Sequence, residues 1–224
     1  MCRLVLAVIT SALTALSIIL IIFAIFTPAW QIVYLTDLKV THEHGLLLDC
    51  FTNSPTFGDF FLSDHRCTYK FSNENSEILA DEIKSNNYEE NAHKFHKWHK
   101  AIIYFFLSSI ILAGAALTFI FCTFCFSLCG VVANVFLLLS FATSFCAMIT
   151  FHIYTNKTEF RLISVRLNVY EQKNGYSSVI GGVAVFFLFL SFLSSILVTV
   201  STFFSDHNLH QSSTKTNAKF STLV

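Results

Sequence analysis

Residues 30–67 read WQIVYLTDLKVTHEHGLLLDCFTNSPTFGDFFLSDHRC, and this stretch decides the fold. It begins at Trp30, where a first long apolar run ends. It then carries Gly45-Leu46-Leu47, Cys50 shortly after, and Cys67. The two cysteines lie between long apolar segments and far from the other five of the chain's 7. If this loop faces an oxidising compartment, Cys50 and Cys67 form a disulfide. Closing a loop of that size contributes about 3 kcal/mol in the chain-entropy model.

Working outward, the flanking segments are those of a membrane protein. The chain is 54% hydrophobic and 12% charged, with 26 Phe among its 224 residues. Its mean hydropathy is +0.62. Four apolar runs, near residues 4–26, 101–121, 131–151 and 179–204, each reach the roughly 20 residues a helix needs to cross the hydrocarbon. None contains Asp, Glu, Lys or Arg, and both prolines, Pro28 and Pro55, lie outside them. The first run is preceded by a single basic residue, Arg3. Its apolar core is longer than the roughly 7–15 residues of a signal peptide, so it reads as an uncleaved span.

The residues around Trp30 resemble the claudin superfamily signature, W–GLW–C–C, shared with peripheral myelin protein relatives and calcium-channel gamma subunits. Trp30 matches the family tryptophan, Gly45 and Leu46 the Gly-Leu, and Cys50 and Cys67 the disulfide pair. Leu47 stands where that family usually has a second tryptophan. Residues 27–31 (TPAWQ) and 44–50 (HGLLLDC) resemble the nematode claudin-like (Clc-like) proteins in particular. The resemblance implies a four-helix transmembrane bundle carrying a small extracellular antiparallel β-sheet.

The expected order is a cytoplasmic N-terminus (1–4), TM1 (5–27), extracellular loop 1 (28–99), TM2 (100–122) and a cytoplasmic turn (123–130). TM3 (131–151), extracellular loop 2 (152–177), TM4 (178–204) and a cytoplasmic tail (205–224) follow. Basic-residue counts oppose this orientation. The rule that places positive charge inside applies to short loops, which exempts the long first loop but not the second. The loop cysteines and the family resemblance decide for an inside N-terminus.

Within loop 1, residues 31–40 alternate and are rich in β-branched residues, which predicts a strand. Residues 45–51 and 67–71 are further strand candidates, and stability asks for a sheet of at least three. Residues 73–92 read as an acidic helix with an Asn-rich tail, a solvated connector or else a surface for calcium or a cationic partner. The run His93-Lys94-Phe95-His96-Lys97-Trp98-His99-Lys100 reads as an interfacial anchor, with Trp98 in an aromatic belt. Ligation of zinc or copper by its three histidines with His42 and His44 is the alternative. The reading as a whole assigns no cofactor and no metal.

Ser11, Thr14 and Ser17 on the first span, and Ala113-Gly114-Ala115-Ala116 on the second, predict close helix packing in lipid. Cys122, Cys125 and Cys129 sit in the short turn between spans two and three and invite S-palmitoylation, with inert apolar thiols as the alternative. After the third span, residues 160–170 alternate as one half-buried strand, the expected partner of the loop-1 sheet. Residues 172–175 mark a turn, and Gly181-Gly182 allow close helix contact. Asn156-Lys157-Thr158 is an N-glycosylation acceptor pattern. The polar tail from Ser205 reads as disordered and ends Thr222-Leu223-Val224, where Thr222 and Val224 match a PDZ-domain ligand.

The spans hold no ionisable residue that would line an ion or proton pathway, apart from histidines at their borders. The loops carry no nucleophile–base motif and no glycine-rich phosphate loop, so the reading is a non-enzyme that binds no nucleic acid. The leading expectation is a plasma-membrane protein of cell–cell junctions. It would pair with itself or related claudin-like proteins in cis and trans, with a PDZ scaffold at its tail. The alternative is an auxiliary subunit of a channel or receptor, which the long first loop favours.

Overall fold

A computed structural model of the chain describes residues 2–35, 40–53, 65–70, 97–123, 126, 128–157, 161–165 and 168–221. The acidic stretch 73–92, His93, His96, Cys125, Thr222 and Val224 lie outside these residues. Four helices are present among the described residues: α1 (Cys2–Phe26), α2 (Lys97–Cys122), α3 (Leu128–Thr155) and α4 (Tyr176–Ser221). Each contains a stretch long and apolar enough to cross a membrane: Leu4–Phe26, Lys97–Cys122, Leu128–Thr155 and Tyr176–Phe203.

The helix ends depart from the hydropathy boundaries by a few residues, because helical hydrogen bonding continues past the apolar run into polar flanks. The largest departure is at the C-terminus. Where composition reads as a disordered tail from Ser205, α4 remains helical to Ser221. No Gly or Pro follows Gly182, so nothing in the sequence stops the helix.

The buried positions on every helix repeat at alternating steps of three and four. On α1 they are Ala7, Thr10, Thr14, Ser17, Ile21 and Ala24. On α2 they are Ile102, Phe106, Ser109, Ala113, Ala116 and Ile120. The buried positions of α3 include Ala133, Leu137, Ser140, Ser144, Ala147 and Phe151. Those of α4 include Ser177, Ala184, Leu188, Ser191, Ser195, Val198 and Thr202. This is the 3.5-residue period of helices packed through a narrow seam. Lipid is as apolar as leucine, so large apolar side chains gain nothing by turning inward. Leu4, Ile19, Ile111, Leu128 and Phe186 accordingly face outward. Thr10 takes the buried place that the sequence reading gave to Ser11, since it continues the three–four step from Thr14 where Ser11 does not. A Cβ on Gly114 would meet nothing within 4 Å, and Ala113 and Ala116 are the buried residues of that patch.

The described structure forms two compact units. The first comprises Met1–Ile18, Ser109–Ala142 and Phe186–Val224. Its core clusters Ala7, Ala116, Ile120, Ala133, Leu137 and Val198, with Phe119 stacked on Phe136. Hydroxyls close the seam. Thr14 Oγ1 and Ser191 Oγ lie 2.5 Å apart, Ser109 and Ser140 exchange reciprocal bonds to each other's carbonyl at 2.9 Å, and Asn134 Nδ2 donates to Thr199 Oγ1 at 3.0 Å.

The second unit comprises Ile19–Ser108 and Thr143–Val185 and carries the sheets. Five antiparallel strands run in the order β4-β3-β2-β1-β7. They are β1 (Gln31–Leu35), β2 (Val40–His44), β3 (Leu48–Asn53), β4 (His65–Tyr69) and β7 (Lys173–Asn174). A separate hairpin joins β5 (Leu162–Val165) to β6 (Asn168–Glu171). The expected single strand over 31–40 is two strands, because Leu35 and Val40 are Cα partners and the chain reverses between them. The expected partner strand over 160–170 folds back on itself, and β7 instead pairs with β1 through Gln31–Asn174 and Ile32–Lys173. Arg161 bonds Glu171 across the base of the hairpin. Pairing within a short local hairpin closes a smaller loop than pairing with a distant strand, which favours it entropically.

Replacing either Ser109 or Ser140 by Ala should lower stability in mixed micelles by about 0.6 kcal/mol, and by no more than about 1.7 kcal/mol. The double variant should cost no more than the larger single loss, because both changes remove the same reciprocal pair. Reversible unfolding followed by circular dichroism reads both numbers.

Candidate functional site

The second unit is assembled around Trp30, which is 1% exposed. Its indole N–H donates to Ala24 O at 2.6 Å, satisfying a carbonyl in the last turn of α1. Its ring meets Phe106 of α2 at 5.9 Å and Phe151 of α3 at 5.0 Å between centroids, the latter edge-on. On α4 the neighbour is Gly181, where an added Cβ would stand 3.1 Å from Trp30 Cη2 and 3.2 Å from Met148 Sδ. A side chain there would push the ring out. The backbone of Trp30 turns the other way, into the sheet. Its N–H donates to His44 O at 3.1 Å, and its carbonyl accepts from Gly175 N at 2.9 Å.

Gly45 and Leu46 form the corner that receives this contact. Gly45 N donates to Leu48 O at 2.8 Å, and a Cβ on Gly45 would lie 2.6 Å from that oxygen and 2.7 Å from Pro28 Cα. No other residue fits between those two backbones. Leu46 is fully buried and Leu47 half-buried, so the position where the superfamily places a second tryptophan is not a core position here. Cys50 and Cys67 are directly opposed on β3 and β4, with Cα atoms 4.1 Å apart, and are disulfide-bonded. Of the other expected sites, Asn156 is exposed just past the end of α3, and Cys122 is exposed with Cys129 half-buried. Trp98 is buried and stacked on Tyr154 at 5.6 Å, while Lys97 and Lys100 stay exposed.

The buried face of the sheet holds a polar cluster. Side chains alternate along a strand, so His42 and His44 of β2 share one face. Register puts Asp49 of β3 opposite His44 on that same face, with Gln31 and Val33 beside them on β1. All three cluster members are buried. His42 Nε2 lies 2.9 Å and His44 Nδ1 3.0 Å from Asp49 Oδ1, and the two imidazole centroids are 3.7 Å apart. Lys70, just beyond β4, donates its Nζ to Gly45 O at 2.8 Å. Burial by itself would raise the pKa of Asp49. His44, His42 and Lys70 outweigh it and hold the carboxyl well below its ordinary value. Burial lowers the pKa of Lys70, and the attraction of Asp49 opposes that shift.

The sequence reading paired His42 and His44 with His93, His96 and His99. His99 is not among the grouped residues, and Asp49 takes the third place. The β2–β3 register sets His44 opposite Asp49 across the corner at Gly45, a pairing that the residue types alone do not signal.

Four membrane-length helices, with a tryptophan-anchored and disulfide-stapled antiparallel sheet whose first four strands lie between the first two, define a claudin-like multi-pass membrane protein. The chain belongs to the Clc-like family, whose model matches residues 3–207. It is 27% identical over 194 residues to Clc-like protein 2 of Caenorhabditis elegans, covering 83% of this chain and 71% of that protein.

Cys50→Ser and Cys67→Ser should each lower the stability of the sheet by about 2–5 kcal/mol, and the double variant should be no worse than either single. Thermal unfolding in detergent and surface delivery in cells measure this. Additive losses would mean that the two thiols act independently. Trp30→Ala should cost about 3–5 kcal/mol through the cavity it leaves among Phe106, Phe151 and Gly181.

Proposed function

We propose that this protein acts at cell–cell contacts of the plasma membrane. The sheet lies outside the cell and both termini lie inside. Copies of the chain, or related claudin-like proteins, associate side by side and across apposed membranes to support adhesion or a paracellular barrier. The observation that carries this reading is the outer face of the sheet. The disulfide fixes β3 to β4 there, and Tyr34 and Tyr69 stand about three-fifths exposed on the same face, at 61% and 60%. Rigid exposed tyrosines give large contact area at low entropic cost. Residues 28–100 hold eleven acidic and seven basic residues, a net of −4 with His neutral. A barrier built from such loops favours cations over anions.

Inside the cell, Thr222 and Val224 recruit a PDZ scaffold, and Cys122, Cys125 and Cys129 offer palmitoylation sites. Asn156, on the outer side, is the glycosylation acceptor. The second reading, an auxiliary subunit of a channel or receptor, draws on the length of the first loop.

Expression in a polarised epithelial layer tests the proposal. The expected result is a junctional belt, adhesion lost in Tyr34→Glu and Tyr69→Glu, and a permeability ratio shifted toward cations. A tag after Val224 should stain only permeabilised cells, and Val224→Asp should abolish scaffold pull-down. Diffuse surface staining together with stoichiometric co-purification of one pore-forming protein would replace the contact role with the auxiliary one.

A further inference from the structure

We propose that His42, His44 and Asp49 form a zinc-class metal site that clamps β2 to β3. The donor set consists of two imidazoles and one carboxylate, contributed by residues at i, i+2 and a directly opposed position, so the backbone of a single hairpin presents all of it. The three ligand atoms lie within 4.8 Å of one another. His42 Nε2 and His44 Nδ1 stand 2.9 and 3.0 Å from Asp49 Oδ1. Ligands of a tetrahedral zinc at about 2.0–2.1 Å are about 3.3 Å apart, so each His–Asp pair opens by a few tenths of an ångström to take the ion, while the two imidazole donors adjust within the 4.8 Å span of the set. Imidazole with carboxylate suits zinc and its transition-metal neighbours. Calcium and magnesium prefer shells of oxygen, which this site does not offer.

The placement of the cluster strengthens the inference. These are core positions of the sheet: Val33, the partner of His42 on β1, is 1% exposed, and Leu35 on the same face is 6% exposed. Apolar residues would fill such positions at lower cost, since buried ionisable groups are retained at an expense that hydrophobic replacements avoid. Lys70 acts on Asp49 electrostatically, and its Nζ is held by Gly45 O at 2.8 Å, which anchors its head at the corner of the hairpin.

The consequence for the fold is a second staple. Asp49 and Cys50 are adjacent on β3 and point to opposite faces. The disulfide joins β3 to β4 on one face, and the metal joins β2 to β3 on the other. Three consecutive strands are then locked by two chemically different links, one sensitive to reductant and one to chelator.

Cobalt(II), a spectroscopic stand-in for zinc, tests the site on the full-length chain purified in detergent without a polyhistidine tag. After chelator treatment, the wild type should bind one cobalt ion per chain with visible d–d absorption, and zinc should displace it. Asp49→Asn is close to isosteric and His42→Ala removes one imidazole. Each should weaken cobalt binding by at least about 100-fold, the upper end of what outer-shell losses produce. His152→Ala, an exposed position on α3, should bind as the wild type does. Thiol labelling checks that each variant keeps the Cys50–Cys67 disulfide, and thus that its sheet is formed. Hydrogen exchange across β2 and β3 should slow on metal addition in the wild type and stay unchanged in Asp49→Asn. A wild-type protein that takes up no stoichiometric cobalt would overturn the proposal and leave the cluster a metal-free ion-paired triad. Unchanged affinity in a folded Asp49→Asn would overturn it equally.

Discussion

The hydrogen bond from the Trp30 indole to Ala24 O is the contact on which the second unit depends. A helix leaving the membrane has unsatisfied carbonyls in its last turn, and one left unmet in an apolar setting is costly. Trp30 meets this with its polar edge while its ring fills the space between Phe106, Phe151 and Gly181. The same residue donates and accepts backbone bonds toward His44 and Gly175, so the start of the sheet is set directly by the end of the helix. One side chain and one peptide unit thereby fix the angle at which the loop departs. Gly45, pinned between Leu48 O and Pro28, fixes where it returns.

Helix packing in this protein answers a different constraint. Without a hydrophobic force to drive association in lipid, the helices rely on close approach and on hydrogen bonds between them. Alanines, serines and threonines therefore take many of the seam positions beside Ile21, Ile102, Phe106, Leu137, Phe151 and Leu188, and further phenylalanines and isoleucines face outward. The reciprocal Ser109–Ser140 pair and the Thr14–Ser191 contact are the polar links of that seam. Thr10, Thr14 and Thr202 also turn their hydroxyls back onto their own helix carbonyls, which gives a buried polar group a partner within its own helix.

The sheet inverts the usual arrangement of polarity. Its buried face carries His42, His44 and Asp49, while Tyr34 and Tyr69 are exposed on the other. Burial raises the pKa of the Asp49 carboxyl, and His44, His42 and Lys70 beside it hold it well below its ordinary value. Buried polar clusters of this kind violate the local pattern that makes a sheet core, and such violations concentrate at functional positions. The disulfide on the opposite face ties β3, which carries Asp49, to β4.

Much of this was legible in the sequence. Span number and position follow from runs of apolar residues that contain no charge, a local property that neighbouring elements do not alter. The disulfide followed from two cysteines isolated in one loop, and the role of Trp30 from its place at the end of a span. The loop sheet was legible as strands but not as pairings. Residues 31–40 read as one strand, and whether residues 160–170 join the main sheet or fold on themselves depends on contacts far away in the chain. Thr10 and Ser11 are indistinguishable by composition, and only the three–four step of the packed helix separates them. The meeting of His42, His44 and Asp49 was decided by tertiary structure alone. A shift of one residue in the β2–β3 register would turn Asp49 to the opposite face, and no local preference of these residues fixes that register.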